Sequence, residues 1–171
     1  MSDELKDMAA LVTGGAQGIG RAIAEELLAR GAKVAIADVN AEKVQATATE
    51  LAAQGTVLPL TGNVAVAADA DAMVDGVIKA WGRIDILVNN AGITRDGLAM
   101  RMKDDDWNMV LAVNLTGSFY CARAAVKTML RQRAGRIINI ASVVGVIGNA
   151  GQANYAATKA GVIGLTKTLA R

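Results

Sequence analysis

Thr13-Gly14-Gly15-Ala16-Gln17-Gly18-Ile19-Gly20 follows directly on the apolar run Met8-Ala9-Ala10-Leu11-Val12 and opens a segment of helical period. A strand that turns through glycines into a helix lets an anionic group approach bare backbone, with the helix N-terminal amides and positive dipole end aimed at it. Gly14, Gln17, Gly18, Ile19 and Gly20 are therefore candidates for holding the pyrophosphate of a dinucleotide. A glycine cluster by itself is also what a tight strand-to-helix turn requires. The surrounding pattern separates the two readings.

Outward from this loop, short runs rich in Val, Ile, Leu and Ala alternate with longer segments of helical period, the pattern of βα units on a parallel sheet. The sequence predicts strands at 8–13, 33–37, 56–61, 84–88 and 136–141. Helices are expected at 18–30, 41–54, 67–81 and 104–132, with a last one from 153 to the end. No strand alternates strictly, as expected where helices cover both faces. Pro59, the only proline, falls in the third strand, and its missing N–H favours a sheet edge. Together these predict a Rossmann-type doubly wound α/β sheet of order 3-2-1-4-5. Gly31, Gly55 and Gly82 follow predicted helix ends, where a C-cap favours positive φ. The stretch from Gly145 to Gly151 reads as a loop beside the site. With 171 residues, 53% of them hydrophobic, the chain is expected to form a single domain.

Composition removes several classes of chemistry. A formal charge of +2 without a basic run implies neither nucleic acid nor an anionic membrane surface as partner. Cys121, the only cysteine, excludes an internal disulfide, and without histidine the usual His/Cys zinc site cannot be assembled. No metal is expected. Ser-His-Asp and Cys-His mechanisms are likewise excluded, so acid/base chemistry must use Tyr, Lys, Asp or Glu. The polar N-terminus and the lack of any run read as membrane-spanning point to a cytoplasmic protein in a reducing compartment.

Further candidates fall at the predicted strand ends, where ligands bind in such sheets. Asp38, at the end of the second strand, can accept from both adenosine ribose hydroxyls and repel a 2′-phosphate, which favours NAD over NADP. Its alternative is to cap the helix beginning near Ala41; nearby Arg21 works against a strict preference. Asn63, with Val64 beside it, is placed toward the adenine, or else serves a simple turn. Asn90, Ala91 and Gly92, in the run Asn89-Asn90-Ala91-Gly92, leave room for the cofactor and tie strand ends together.

Tyr155 and Lys159 stand four apart, which on a helix puts them on one face. An isolated tyrosine titrates near pKa ~10, and a neighbouring cation favours the phenolate, so the two can act as a unit. An ordinary amphipathic face has the same spacing. Ser142 follows the fifth strand and can polarise a carbonyl oxygen, or form a turn. Asn114 is unfavourable inside a helix, and its amide is a candidate for holding a water beside Lys159; it is otherwise a plain surface or core asparagine.

These motifs resemble the short-chain dehydrogenase/reductase family along essentially the whole chain. TGGAQGIG is similar to its TGxxxGxG loop, NNAG to its fourth-strand motif, and Asn114, Ser142, Tyr155 and Lys159 to its catalytic tetrad. The stretch NNAGITRDGLAMRMKDDDW resembles the 3-oxoacyl-acyl-carrier-protein reductases. The resemblance implies an NAD(H)-dependent enzyme acting on a ketone or secondary alcohol, such as an acyl thioester, and a homo-oligomer (dimer or tetramer) paired through helices 104–132 and 153–171. Asp38 departs from the NADP use common in those reductases. The chain stops at Arg171 inside the helix that carries Tyr155, whereas the family continues through further strands, a Pro-Gly loop and a substrate lid; a truncated chain is therefore expected. A binding-only NAD module and an assembly fragment remain the alternatives, and other short-chain alcohol dehydrogenases the nearer one.

Overall fold

The computed structural model describes residues 4–171; Met1–Asp3 of the polar N-terminus lie outside the described residues. The chain runs β1 (Ala9–Thr13), α1 (Gly18–Ala29), β2 (Lys33–Asp38), α2 (Ala41–Leu51), β3 (Val57–Thr61), α3 (Ala67–Trp81), β4 (Ile86–Asn89), α4 (Asp104–Leu111), α5 (Gly117–Gln132), β5 (Arg136–Asn139), α6 (Val144–Ile147) and α7 (Ala153–Leu169). The strands form one parallel sheet of order β3-β2-β1-β4-β5, as the βα alternation requires.

Successive residues of the central strands point to opposite faces, and both faces are apolar. Leu11, Ala35 and Leu87 join Met73, Val74, Val77, Cys121 and Ala125 beneath α3 and α5. Val12, Ile36 and Val88 join Leu28, Val44 and Leu51 beneath α1 and α2. Full burial of each Leu, Ile or Val contributes about 1.5–3 kcal/mol, which is why these strands read as continuous apolar runs. Pro59 lies opposite Ile36 in β3, an edge strand bonded to β2 alone.

In its secondary structure and helix lengths the fold departs from the sequence reading at five places. Gly31 and Gly82 take positive φ (91° and 74°), but Gly55 does not: α2 stops at Leu51, and a Cβ on Gly55 would meet Leu28 Cδ2 at 3.2 Å, so close approach is what glycine serves there. The predicted helix 104–132 is interrupted by a π-helical segment, Ala112–Thr116. Part of the loop expected at 145–151 is helical, because α6 runs from Val144 to Ile147. A 3-10 turn, Ala99–Arg101, sits in the connection after β4. The run Asp104–Gln132 is, at 29 residues, long and apolar enough to cross a membrane by length and composition, contrary to the sequence reading. Its buried residues, among them Val110, Cys121 and Ala125, line it up as a core helix against α3 and β4.

Candidate active site

The carboxyl ends of β1, β2 and β4 open into a cleft of about 830 Å³, whose lining includes Gly14, Gln17, Gly18, Ile19, Asp38, Asn63, Val64, Asn90, Ala91, Gly92, Tyr155 and Lys159. The cofactor-binding candidates thus share one concavity with the Tyr/Lys pair; only Gly20 lies behind its wall. A Cβ on Gly20 would fall 2.2 Å from Gly14 O and 2.5 Å from Asn90 Nδ2, so only glycine lets the first turn of α1 close on the loop. Gly18 has φ 55°, which other residues rarely adopt. The donor set fits a dinucleotide: loop backbone at the start of α1 for the pyrophosphate, a carboxylate at the tip of β2 for the ribose, and a cation at the far end.

The tip of β4 holds this loop in place. Asn90 Nδ2 donates to Thr13 O (3.0 Å) and Gly14 O (3.2 Å), as the tying role of the asparagines predicts. Thr13 was given no role by the sequence, yet its buried hydroxyl accepts from both Asn90 N–H and Ala91 N–H at 3.1 Å and donates to Val88 O. Those partners lie more than seventy positions away, so only the β1·β4 pairing reveals them.

At the tip of β2 the capping reading of Asp38 falls away. Asn40, not Asp38, caps α2, accepting from Lys43 N–H at 2.9 Å. Asp38 Oδ1 accepts from Asn40 N–H (3.2 Å) and its carboxylate stays at the cleft wall. Arg21 is turned away from that wall: Glu25 (2.9 Å) and Glu50 (2.6 Å) hold its guanidinium, and their hydrogen bonds push its pKa further up. Gln17 Oε1 accepts from Lys43 Nζ. Asn63 takes the turn role, its Oδ1 accepting from Ala65 N–H (3.0 Å), and it also lines the cleft.

On α7, Lys159 is 5% exposed, and its ammonium donates to Ile140 O at 2.5 Å. Desolvation holds its pKa below the ordinary lysine value. Lys159 Nζ lies 5.6 Å from the centre of the Tyr155 ring, so the spacing of four does put both on one face. Ser142 is not among the cleft-lining residues. Its Oγ accepts from Val144 N–H (3.2 Å), the turn role weighed for it, which leaves the hydroxyl hydrogen for another acceptor. A Cβ on Gly145 would lie 2.6 Å from Ala160 N, so glycine is what lets α6 press this turn against α7.

Asn114 requires a correction. It sits in the π-helical segment and is 1% exposed, and π segments are frequent at functional sites. Both amide donors are spent within the protein, however, and leave no N–H for a water: Nδ2 donates to Ile93 O (2.9 Å) and Thr158 Oγ1 (3.3 Å), while Oδ1 accepts from Ile93 N–H (2.8 Å). Asn114 therefore anchors the chain after β4 to α7. Cys121 is fully buried, and burial, with Asp71 next, pushes its thiol up to about 12; it belongs to the core.

A second groove of about 660 Å³, lined by Met129, Leu130, Ile137, Asn139, Thr166 and Leu169 among others, runs along the open edge of β5 and contains none of these candidates.

The model of the short chain dehydrogenase family matches residues 8–171. Among curated proteins the chain is 52% identical over 164 residues to the 3-oxoacyl-[acyl-carrier-protein] reductase FabG of Staphylococcus aureus (strain Mu50 / ATCC 700699), covering 95% of this chain and 67% of that protein. It is also 52% identical over 162 residues to the FabG reductases of Salmonella typhimurium and Escherichia coli (strain K12), covering 95% of this chain and 66% of each. The chain thus spans about two thirds of the length of these relatives. With the glycine loop, the β4 tip and the Tyr155–Lys159 pair in one cleft, and with a family match along nearly all of it, the chain belongs to the short-chain dehydrogenase family.

Proposed function

We propose that the protein is an NAD(H)-dependent reductase of a ketone, with a 3-oxoacyl thioester as substrate, and that it oxidises the corresponding secondary alcohol in reverse. The observation that carries this reading is the pairing of Tyr155 and Lys159 in the same cleft as the glycine loop. A bound nicotinamide supplies the hydride. Tyr155 gives a proton to the substrate oxygen, and the buried Lys159 ammonium stabilises the negative charge that develops as that proton leaves. Ser142 does not line the cleft, but its Oγ accepts from Val144 N–H and so keeps its hydroxyl hydrogen available to that same oxygen. Asn114 keeps the wall after β4 in register with α7. The names of the relatives, 3-oxoacyl-[acyl-carrier-protein] reductases at 52% identity, support the substrate class.

The choice of NAD over NADP is supported by Asp38 at the cleft wall and by Arg21 being held on Glu25 and Glu50. Exposed Phe119 and Leu130 on α5 and Leu169 on α7 support self-association through those helices.

Loss of NADH absorbance with a 3-oxoacyl thioester, set beside a binding titration, tests the proposal. Tyr155→Phe should abolish turnover and leave NADH binding nearly intact. Turnover retained by that variant, or binding by the parent protein without any oxidation of NADH, overturns the enzymatic reading.

A further inference from the structure

We propose that Asn154 is a positioning residue for Tyr155: its buried amide fastens the start of α7 to the chain segment that walls the cleft after β4. The inference rests on the reading of Tyr155 as the proton donor.

Asn154 precedes Tyr155 in the first turn of α7 and is completely buried, at 0% exposure. Its Nδ2 donates to Arg95 O at 2.9 Å and to Asp106 O at 3.4 Å, while its Oδ1 accepts from Tyr155 N–H at 2.7 Å. One side chain thus ties together α7, the segment after β4 and the first turn of α4. That segment begins as cleft wall, since Asn90 to Thr94 line the cavity. It is pinned again one step on, to the turn that leads into α7, where Gly97 N–H donates to Gly151 O (2.8 Å) and Gln152 Nε2 donates to the Asp96 carboxylate (3.1 and 3.2 Å).

A buried amide with both donors and its acceptor engaged is costly to place, and it fixes a geometry where an apolar residue would only fill space. The geometry fixed here is the height of the phenol above the wall on which a substrate would rest. A displacement of about 1 Å in such a relation costs about 10²-fold in rate.

The competing role is local. An acceptor at a helix N-terminus satisfies a free N–H, and a carboxylate serves there as well as an amide, aided by the helix dipole. Asn154→Asp separates the two roles, because it keeps the acceptor for Tyr155 N–H and turns the donor into a negative oxygen facing the carbonyls of Arg95 and Asp106. The experiment measures kcat and KM with NADH and a 3-oxoacyl thioester for the full chain and for Asn154→Asp and Asn154→Ala. Hydrogen exchange of the Gly97 amide is followed in parallel.

The expected result is a fall in kcat of about 10²-fold in both variants, with KM for NADH little changed and faster exchange at Gly97. Should Asn154→Ala fold poorly, Asn154→Asp alone carries the comparison. Turnover of Asn154→Asp equal to that of the parent, or unchanged Gly97 exchange in both variants, overturns the inference. So does unfolding of both variants, which would make the residue purely structural. A parent protein that binds NADH but never oxidises it removes the proposed function, and this inference with it, whereas an active parent with active variants removes this inference only.

Discussion

Lys159 Nζ stands 5.6 Å from the centre of the Tyr155 ring, one helical turn along α7, with its ammonium hydrogen-bonded to Ile140 O at the end of β5. The lysine is buried, and the desolvation that lowers its pKa means that the fold keeps a charge where charge is unfavourable.

That placement predicts a trade between activity and stability. Among the described residues Lys159 has no ionic partner in the cleft, so an apolar side chain of similar length removes the cost of burying its charge, which offsets the hydrogen bond lost at Ile140 O. Lys159→Met is therefore expected to lower kcat/KM by about 10²–10⁴-fold while leaving the Tm equal or higher. A variant that keeps its activity but melts several degrees earlier would show that the ammonium serves the fold and not the chemistry.

Asp38 predicts the cofactor preference. With Asn40 capping α2, Asp38→Ser leaves the helix intact, and it removes the carboxylate that would repel a 2′-phosphate. The ratio of kcat/KM for NADPH to that for NADH is expected to rise by at least about tenfold, the equivalent of roughly 1.4 kcal/mol. Arg21, held by Glu25 and Glu50, limits how far NADPH binding improves. An unchanged ratio in steady-state assays would place the discrimination elsewhere.

The sheet was legible because its determinants are local: apolar runs, helical periods and one proline at Pro59 specify β3-β2-β1-β4-β5 without knowledge of any contact. The glycine loop, Asp38 and the Tyr155–Lys159 spacing were legible for the same reason. What escaped depends on which distant elements meet. Thr13 acquires its role only when β4 pairs with β1, and Asn114 loses its expected one because Ile93 and Thr158 arrive at its amide. The π-helical segment around Asn114 is a shift in backbone hydrogen bonding that no residue spacing announces. Gly55 carries the same letter as Gly82 but answers to Leu28 and not to a left-handed cap.

Gly20 predicts a loss of binding caused by one methyl group. A Cβ placed 2.2 Å from Gly14 O meets backbone rather than a flexible side chain, so either the loop or the first turn of α1 must move. Gly20→Ala is expected to destabilise the protein by about 1–3 kcal/mol and to weaken NADH binding beyond what that loss explains. Urea unfolding and fluorescence titration with NADH check the two parts separately; parent-like binding would mean that the loop tolerates the shift.

Asp85 predicts the acid limb of stability. It is 6% exposed, and its carboxylate accepts from Ala9 N–H (2.9 Å) and, through both oxygens, from Arg83 (2.7 Å each). Burial by itself would raise the carboxyl pKa, but the hydrogen bonds from Arg83 and from Ala9 outweigh it and hold the group below its ordinary value. The folded protein therefore binds this proton less readily than the unfolded chain. The stabilisation is fully present above the unfolded value of about 3.9 and is lost as pH falls through the lower folded value. Because Arg83 is half-exposed, solvent weakens its share, and the Ala9 N–H at the start of β1 adds a second, smaller contribution. Asp85→Asn should lower stability at pH 7 by about 1.5–3 kcal/mol and flatten the decline between pH ~5 and ~2. Parallel urea midpoints for variant and parent across that range would mean that another carboxylate sets the acid limit, because removing the titrating group must remove its slope.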